Sequence, residues 1–250
     1  ILMVAFLFFQ FARVHKKRVR NEINEEDTHL NNEHDIVVNA TEQIEQAVAT
    51  TIEVYQGVLD GLFKEDRKSL SKLYKVADEF HGKCKRQRAY EVLPTLQRLN
   101  QASLDTGQYY VQAVDYSYEI SVSLRYITKS GYDFIDNAHE GFSKEQIEDL
   151  KELGGSFIAA FREYTDMIKN NDYSGLEKIK ERRAGILDLY SELVKKQIKR
   201  TKEKETGSRN SILYLNILNE TKIIAMKSVN LMRAQMNLHK SDDFNRIAEE

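Results

Sequence analysis

The sequence predicts an all-α fold, two three-helix units side by side, and three observations carry that expectation. Proline occurs once in 250 residues, at Pro94, so the residue that removes a helix donor and clashes with the preceding turn is almost absent. No Asn-Gly or Asp-Gly turn separates alternating apolar runs, so hairpin signals are missing. Apolar residues instead recur at steps of three and four in six long stretches, which places each set on one face of a helix.

The chain opens on residues 1–12, apolar on every face from Ile1 to Phe9 and continuing through Phe11 and Ala12. That is shorter than the ~20 residues a helix needs to cross a bilayer. It reads as the end of a transmembrane helix cut from a longer parent, with a buried or oligomer-forming helix as the alternative. Arg13, Lys16, Lys17, Arg18 and Arg20 follow at once, the basic flank expected on the cytoplasmic side of the inner membrane. A signal peptide has the opposite order, charge before apolar run. An acidic connector, residues 21–35 with Glu22, Glu25, Glu26 and Asp27, leads into the helices. The expected division is 1–20 for the membrane end, 21–35 for the connector, 36–136 for the first unit and 137–250 for the second.

In the first helix Ile44, Ala47, Val48, Thr51, Val54, Tyr55, Val58 and Leu62 share a face. The second opens near Asp66 and points Leu70, Leu73, Tyr74, Ala77 and Phe80 inward. Pro94 marks a break or the first turn of the third helix, which carries Leu96, Leu99, Leu104, Val111, Val114, Tyr118, Val122 and Ile127. After the connector at 137–142, Ser143 and Gln146 have the spacing of a capping box, and Ile147, Leu150, Phe157, Ile158, Phe161, Tyr164 and Ile168 form the next stripe. Asp172 starts a fifth helix with Leu176, Ile179, Ile186, Tyr190, Leu193 and Val194 inward. Beyond Thr206-Gly207 the sixth carries Ile212, Leu215, Leu218, Ala225, Val229, Met232 and Met236. The halves superpose in register: an offset of 106 places Asp66 on Asp172 and Leu70 on Leu176, and an offset of 104 places Tyr110 on Tyr214 and Val114 on Leu218. A three-helix unit buries its stripes only when all three helices pack, so two units give a six-helix body.

Composition excludes several functions. With 37 basic and 39 acidic residues the chain is near neutral, which argues against nucleic-acid binding. Cys84, the single cysteine, cannot form an internal disulfide and suits a reducing compartment. No nucleophile elbow or phosphate-binding Gly loop is present, so the expectation is a protein that is not an enzyme. Glu26-x-x-His29, Asp78-x-x-His81 and Asp136-x-x-His139 are partial echoes of a di-iron motif and read as solvated side chains. The stronger metal candidates are carboxylates one helical turn apart, Asp115 with Glu119 and Asp188 with Glu192. Each pair repels itself, so Arg, Lys or a hard cation with oxygen ligands must compensate, unless the pair lies on an open polar face. The basic stretch at 195–204 reads as a solvated helix end whose cations suit the terminal dipole.

A duplicated three-helix unit with helical carboxylates resembles the PhoU family of phosphate-signalling proteins. The likeness is carried by Val58-Leu59-Asp60-Gly61-Leu62-Phe63-Lys64-Glu65-Asp66, Val76-Ala77-Asp78-Glu79-Phe80, Gly185-Ile186-Leu187-Asp188-Leu189 and Asn216-Ile217-Leu218-Asn219-Glu220-Thr221-Lys222, over roughly residues 35–240. The last stretch is similar to PhoU-like domains fused behind bacterial phosphate transporters. The resemblance implies a non-catalytic cytoplasmic domain of an inorganic phosphate transporter, of the sodium–phosphate or PiT kind. Its partners would be that transporter's membrane domain and a second copy of itself, with inorganic phosphate as the transported solute and no nucleic acid. It also implies divalent or ferric metal ions held by Glu/Asp-x-x-x-Asp motifs. Asp115-x-x-x-Glu119 matches with Glu in the last place; the corresponding second-half positions are Asn219 and Ile223, beside which Glu220 is the substitute carboxylate. A free-standing PhoU-like regulator and a metal-binding helical bundle are the alternatives.

Overall fold

The computed structural model describes residues 33–99 and 103–249. The apolar run, its basic flank with Arg13, Lys16, Lys17, Arg18 and Arg20, and His29 lie outside the described residues. Six long helices and one short one make up the body: α1 (Glu33–Phe63), α2 (Arg67–Arg86), α3 (Val92–Arg98), α4 (Leu104–Asp136), α5 (Lys144–Asn170), α6 (Leu176–Lys202) and α7 (Ser208–Glu249). No strand occurs among the described residues, and no helix among them is long and apolar enough to cross a membrane. Helix α1 begins at Glu33, inside the stretch expected as connector.

The expected helix starts have local causes. The Asp66 side chain accepts from the Ser69 backbone at 3.0 Å and caps α2. Ser143 and Gln146 close a reciprocal capping box on α5. The Asp172 side chain accepts from the Ser174 backbone at 2.9 Å, turning the chain ahead of α6.

Pro94 sits in the first turn of a helix, as expected, but that helix is the short α3, which continues α2. Proline cannot donate to the carbonyl of Tyr90 four residues back. The chain answers with a π turn at Gln87–Glu91, where the Val92 amide bonds to the Gln87 carbonyl. Leu96 and Leu99 therefore belong to the tail of the second long helix, and the third starts at Leu104. They pack over Gly107, where an added Cβ would meet Leu96 Cδ2 at 3.0 Å and Leu99 Cδ1 at 3.2 Å.

The burial pattern repeats with the sequence offsets. From Ala40 to Leu62, every buried α1 position except Leu59 falls on a buried α5 position 106 residues on, with Ile44 on Leu150, Tyr55 on Phe161 and Leu62 on Ile168. On α4, every buried position except Ser123 falls on a buried α7 position 104 residues on, with Tyr110 on Tyr214, Ile120 on Ile224 and Phe134 on Leu238. Three expected inward residues lie outside this register: Leu104, Val122 and Ile212 are exposed, because the buried stripe runs one position to the side, through Leu213, Tyr214 and Ile217 in the case of Ile212.

Units α1–α2–α4 and α5–α6–α7 meet through paired equivalents. The most extensive helix contact is α4 against α7, and α1 packs on α5, so each helix at the junction faces its own counterpart. Across the junction the Tyr55 ring lies 4.2 Å from that of Phe157. Thr221 Oγ1 donates to the Ile217 carbonyl at 2.7 Å, which leaves it to accept from the Tyr55 hydroxyl at 2.7 Å.

Candidate functional site

Asp115 and Glu119 stand on α4, and each has a basic partner. Arg88 Nε, from the π turn, meets Asp115 Oδ1 at 2.7 Å and lays its guanidinium 4.7 Å above the Tyr118 ring. Lys227 crosses from α7 to pair with Glu119 and lies 5.9 Å from the Tyr116 ring centre. The like-charge repulsion of the pair is thus offset by side chains. On α6, Glu192 pairs with Lys196 at 2.8 Å one turn away, and Asp188 is exposed. Glu220 on α7 takes a 3.4 Å hydrogen bond from its neighbour Asn219. Among the described residues, no group of three His, Cys, Asp or Glu is placed to hold a metal ion. The donor set around Asp115 and Glu119 does not fit a metal cluster, since two of its members are cations. The other echoes are likewise engaged: Asp78 with Arg125, Asp136 with Arg67, and His81 Nδ1 with Ser121 Oγ at 3.2 Å. Burial, with Arg125 and Lys85 nearby, lowers the His81 pKa.

The sequence reading overlooked a buried polar network in the second unit. Asp149 is only 7% exposed. Arg200 Nη2 meets its Oδ2 at 2.7 Å, the Tyr214 hydroxyl donates to the same oxygen at 3.0 Å, and Lys196 stands 3.8 Å from Oδ1. Burial, then the Asp149 charge, raises the Tyr214 pKa. Beside it Gln146 donates to Gln197 at 2.9 Å, and Gln197 donates to Thr206 at 3.1 Å and Ser211 at 3.0 Å. The basic stretch at 195–204 is therefore only partly a solvated helix end: Arg200 turns inward to close α6 onto α5 and α7. The signal was present, because Gln146 and Asp149 occupy the same stripe as Leu150 and Leu153.

The equivalent place in the first unit is open. The offsets put Gln43 at the position of Asp149 and Tyr110 at that of Tyr214, and both line a cleft of about 480 Å³ between α1, α2 and α4. By the same offset Pro94 stands in the place of Arg200, and Arg86 lines the cleft instead. Gln87 donates to Gln43 inside, and Lys83 Nζ bonds Gln46 Oε1 at 2.8 Å at the edge. Cys84 also faces the cleft, with its thiol pushed up to about 11 by burial, so it is protonated near neutrality. The cleft offers hydrogen bonds rather than a nucleophile.

With this geometry in hand, comparison with solved structures is decisive for the fold. The crystal structure of PhoU from Pseudomonas aeruginosa matches 83% of this chain and 98% of its own, with a TM-score of 0.68 at 11% identity. The crystal structure of the phosphate transport system regulatory protein PhoU from Streptococcus pneumoniae matches 81% of this chain and 94% of its own, with a TM-score of 0.64 at 14% identity. The fold is PhoU-like. No family model matches the sequence, and no curated protein matches it either. At such identities the likeness carries the architecture and not individual site residues.

Proposed function

We propose that this chain is the cytoplasmic, non-catalytic regulatory domain of an inorganic phosphate transporter, held at the inner membrane by residues 1–20. The observation that carries the reading is the complete PhoU-like six-helix body, since the matched proteins are phosphate-transport regulators. The apolar run and the cations Arg13, Lys16, Lys17, Arg18 and Arg20 support attachment to a membrane domain over a free-standing regulator. Its partners in this reading are that membrane domain and a second copy of the chain, and regulation works through packing against them.

Phosphate uptake tests the reading in cells that make the parent protein with and without residues 33–250. Loss of the domain should change the initial rate or its response to external phosphate. Equal rates with an equal response would remove the regulatory claim. Fractionation separates the two forms of regulator, because a free-standing one leaves the membrane in high salt and a fused one does not.

A further inference from the structure

In the second unit the Asp149 carboxylate is met by three groups: Arg200 and Lys196 from α6, and the Tyr214 hydroxyl from α7. The first unit offers the same kinds of group without the carboxylate. Arg86 and Lys83, at other positions on the matching helix α2, and Tyr110 from α4 line the cleft of about 480 Å³. The position of Asp149 is taken by Gln43. Gln43 is already engaged, its carbonyl accepting from Gln87 and its amide donating to Asn39 at 2.5 Å.

Donors in this cleft are left over. Lys83 uses one of its ammonium hydrogens on Gln46 at 2.8 Å. Arg86 is exposed and forms no ion pair among the described residues. Ser117 lines the cleft and is only 7% exposed, yet its hydroxyl has no hydrogen-bond partner among the described residues. Ile44, Val76, Phe80 and Val114 make the wall apolar. Glu79, exposed one turn before Lys83, is the acid among the lining residues, which leaves two cations against one carboxylate.

We propose that the cleft between α1, α2 and α4 binds a small organic monocarboxylate with an apolar body, whose carboxylate plays the part that Asp149 plays in the second unit. Arg86 and Lys83 supply charge-assisted donors, Ser117 supplies a hydroxyl, and the apolar wall covers the body. The volume falls within the range of small-molecule sites, on the order of 300–1,000 Å³. Charge and shape set the class. Two cations against Glu79 match a single negative charge, whereas inorganic phosphate, a compact anion, would face Glu79 and leave the apolar wall uncovered. Bound there, the ligand ties α2 to α1 and α4, as Asp149 with Arg200 ties α6 to α5 and α7. The site stands apart from the transport reading: binding without any effect on uptake would leave it standing.

Calorimetric titration of the full chain with phenylacetate, 1-naphthylacetate and hexanoate tests the site, each beside its uncharged amide, with inorganic phosphate as the compact anion. At least one of the three acids should bind once per chain, about tenfold or more tighter than its amide and than phosphate. Arg86→Gln should weaken that acid about tenfold and leave the amide unchanged. Gln43→Asp, which installs the carboxylate of the second unit, should weaken it at least as much, with helix content by circular dichroism confirming the fold of both variants. Cys84 is the single cysteine and lines the cleft, so the bound acid should slow its reaction with methyl methanethiosulfonate. No binding by any of the three acids overturns the proposal, as does equal affinity for acid and amide or binding that leaves Cys84 unprotected. Tighter binding of phosphate overturns it too, and assigns the cleft to an inorganic oxyanion.

Discussion

Asp149 carries its charge inside the second unit, and Arg200, itself mostly enclosed, carries the opposite charge to it at 2.7 Å. Breaking such a pair from one side leaves a buried ion uncompensated, which costs about 3–5 kcal/mol. Asp149→Leu should therefore lower the urea-unfolding free energy by that order. The double variant with Arg200→Met should recover most of the loss, because an apolar pair of similar volume needs no charge partner. A second expectation concerns alkali. Burial raises the pKa of Cys84 to about 11 and of Tyr164 and Tyr173 to about 12, and it raises Tyr55 and Tyr214 as well. The unfolded chain releases these protons first. The stability they contribute is thus fully present below about pH 9 and lost as pH rises through the folded values, at up to about 1.4 kcal/mol per pH unit for each group. Urea midpoints between pH 8 and 11 should fall, and Tyr164→Phe should flatten the fall. For Asp115 and Glu119, Arg88 and Lys227 already supply the compensating charge, so manganese or ferric iron should leave Tm unchanged. A concentration-dependent rise would restore the metal reading. Sequence spacing found these carboxylates but not their partners, because Arg88 and Lys227 come from a π turn and a helix far along the chain.

Four helix ends in this fold close in one way, and none uses glycine. Helices α1, α4, α5 and α6 end on left-handed residues Glu65, Ala138, Asn171 and Lys204, with φ of 53°, 53°, 48° and 58°. In each, the next amide reaches back five residues, as from Asp66 to Gly61 and from Asp172 to Met167. A Cβ in this conformation costs roughly 1–2 kcal/mol. Ala138→Gly and Lys204→Gly should therefore raise stability, by about 1 kcal/mol each once the extra freedom of glycine in the unfolded chain is subtracted. Thermal melts would show the opposite sign if these residues were not left-handed in solution. Conversely, Ser143→Ala should cost about 1 kcal/mol through loss of the capping box. Elements with side-chain signals were legible: Asp66 and Ser143 marked two helix starts, Asp172 marked only the turn before α6, which begins at Leu176, and the apolar steps marked the faces. The ends of α1 and α5 left no glycine to read. The tail of α2 was assigned to the next helix because Pro94 usually breaks a helix, and a π turn that absorbs a proline has no sequence signature.

At the scale of the whole molecule, the duplication was legible from helix order and register, whereas the way the halves join was not. Joining depends on which stripe residues face the partner unit, and Leu59, Gly154 and Tyr55 look like ordinary core positions in the sequence. In the structure a Cβ on Gly154 would come within 2.6 Å of Leu59 Cδ1, so the Leu59 side chain packs directly onto the α5 backbone. One apolar core runs through both units. Either unit alone would expose the α1–α5 and α4–α7 faces and leave the Tyr55–Thr221 bond unmade. The body should accordingly unfold in one step, with calorimetric and van't Hoff enthalpies equal. Phe157→Ala, which removes a fully buried ring at the junction, should shift that single transition down by about 3–5 kcal/mol without splitting it. Two transitions in the parent protein, or a split in the variant, would mean that the units fold independently. Regulation would then have to act on one unit at a time. A single transition means that a load placed on either unit is felt by the other.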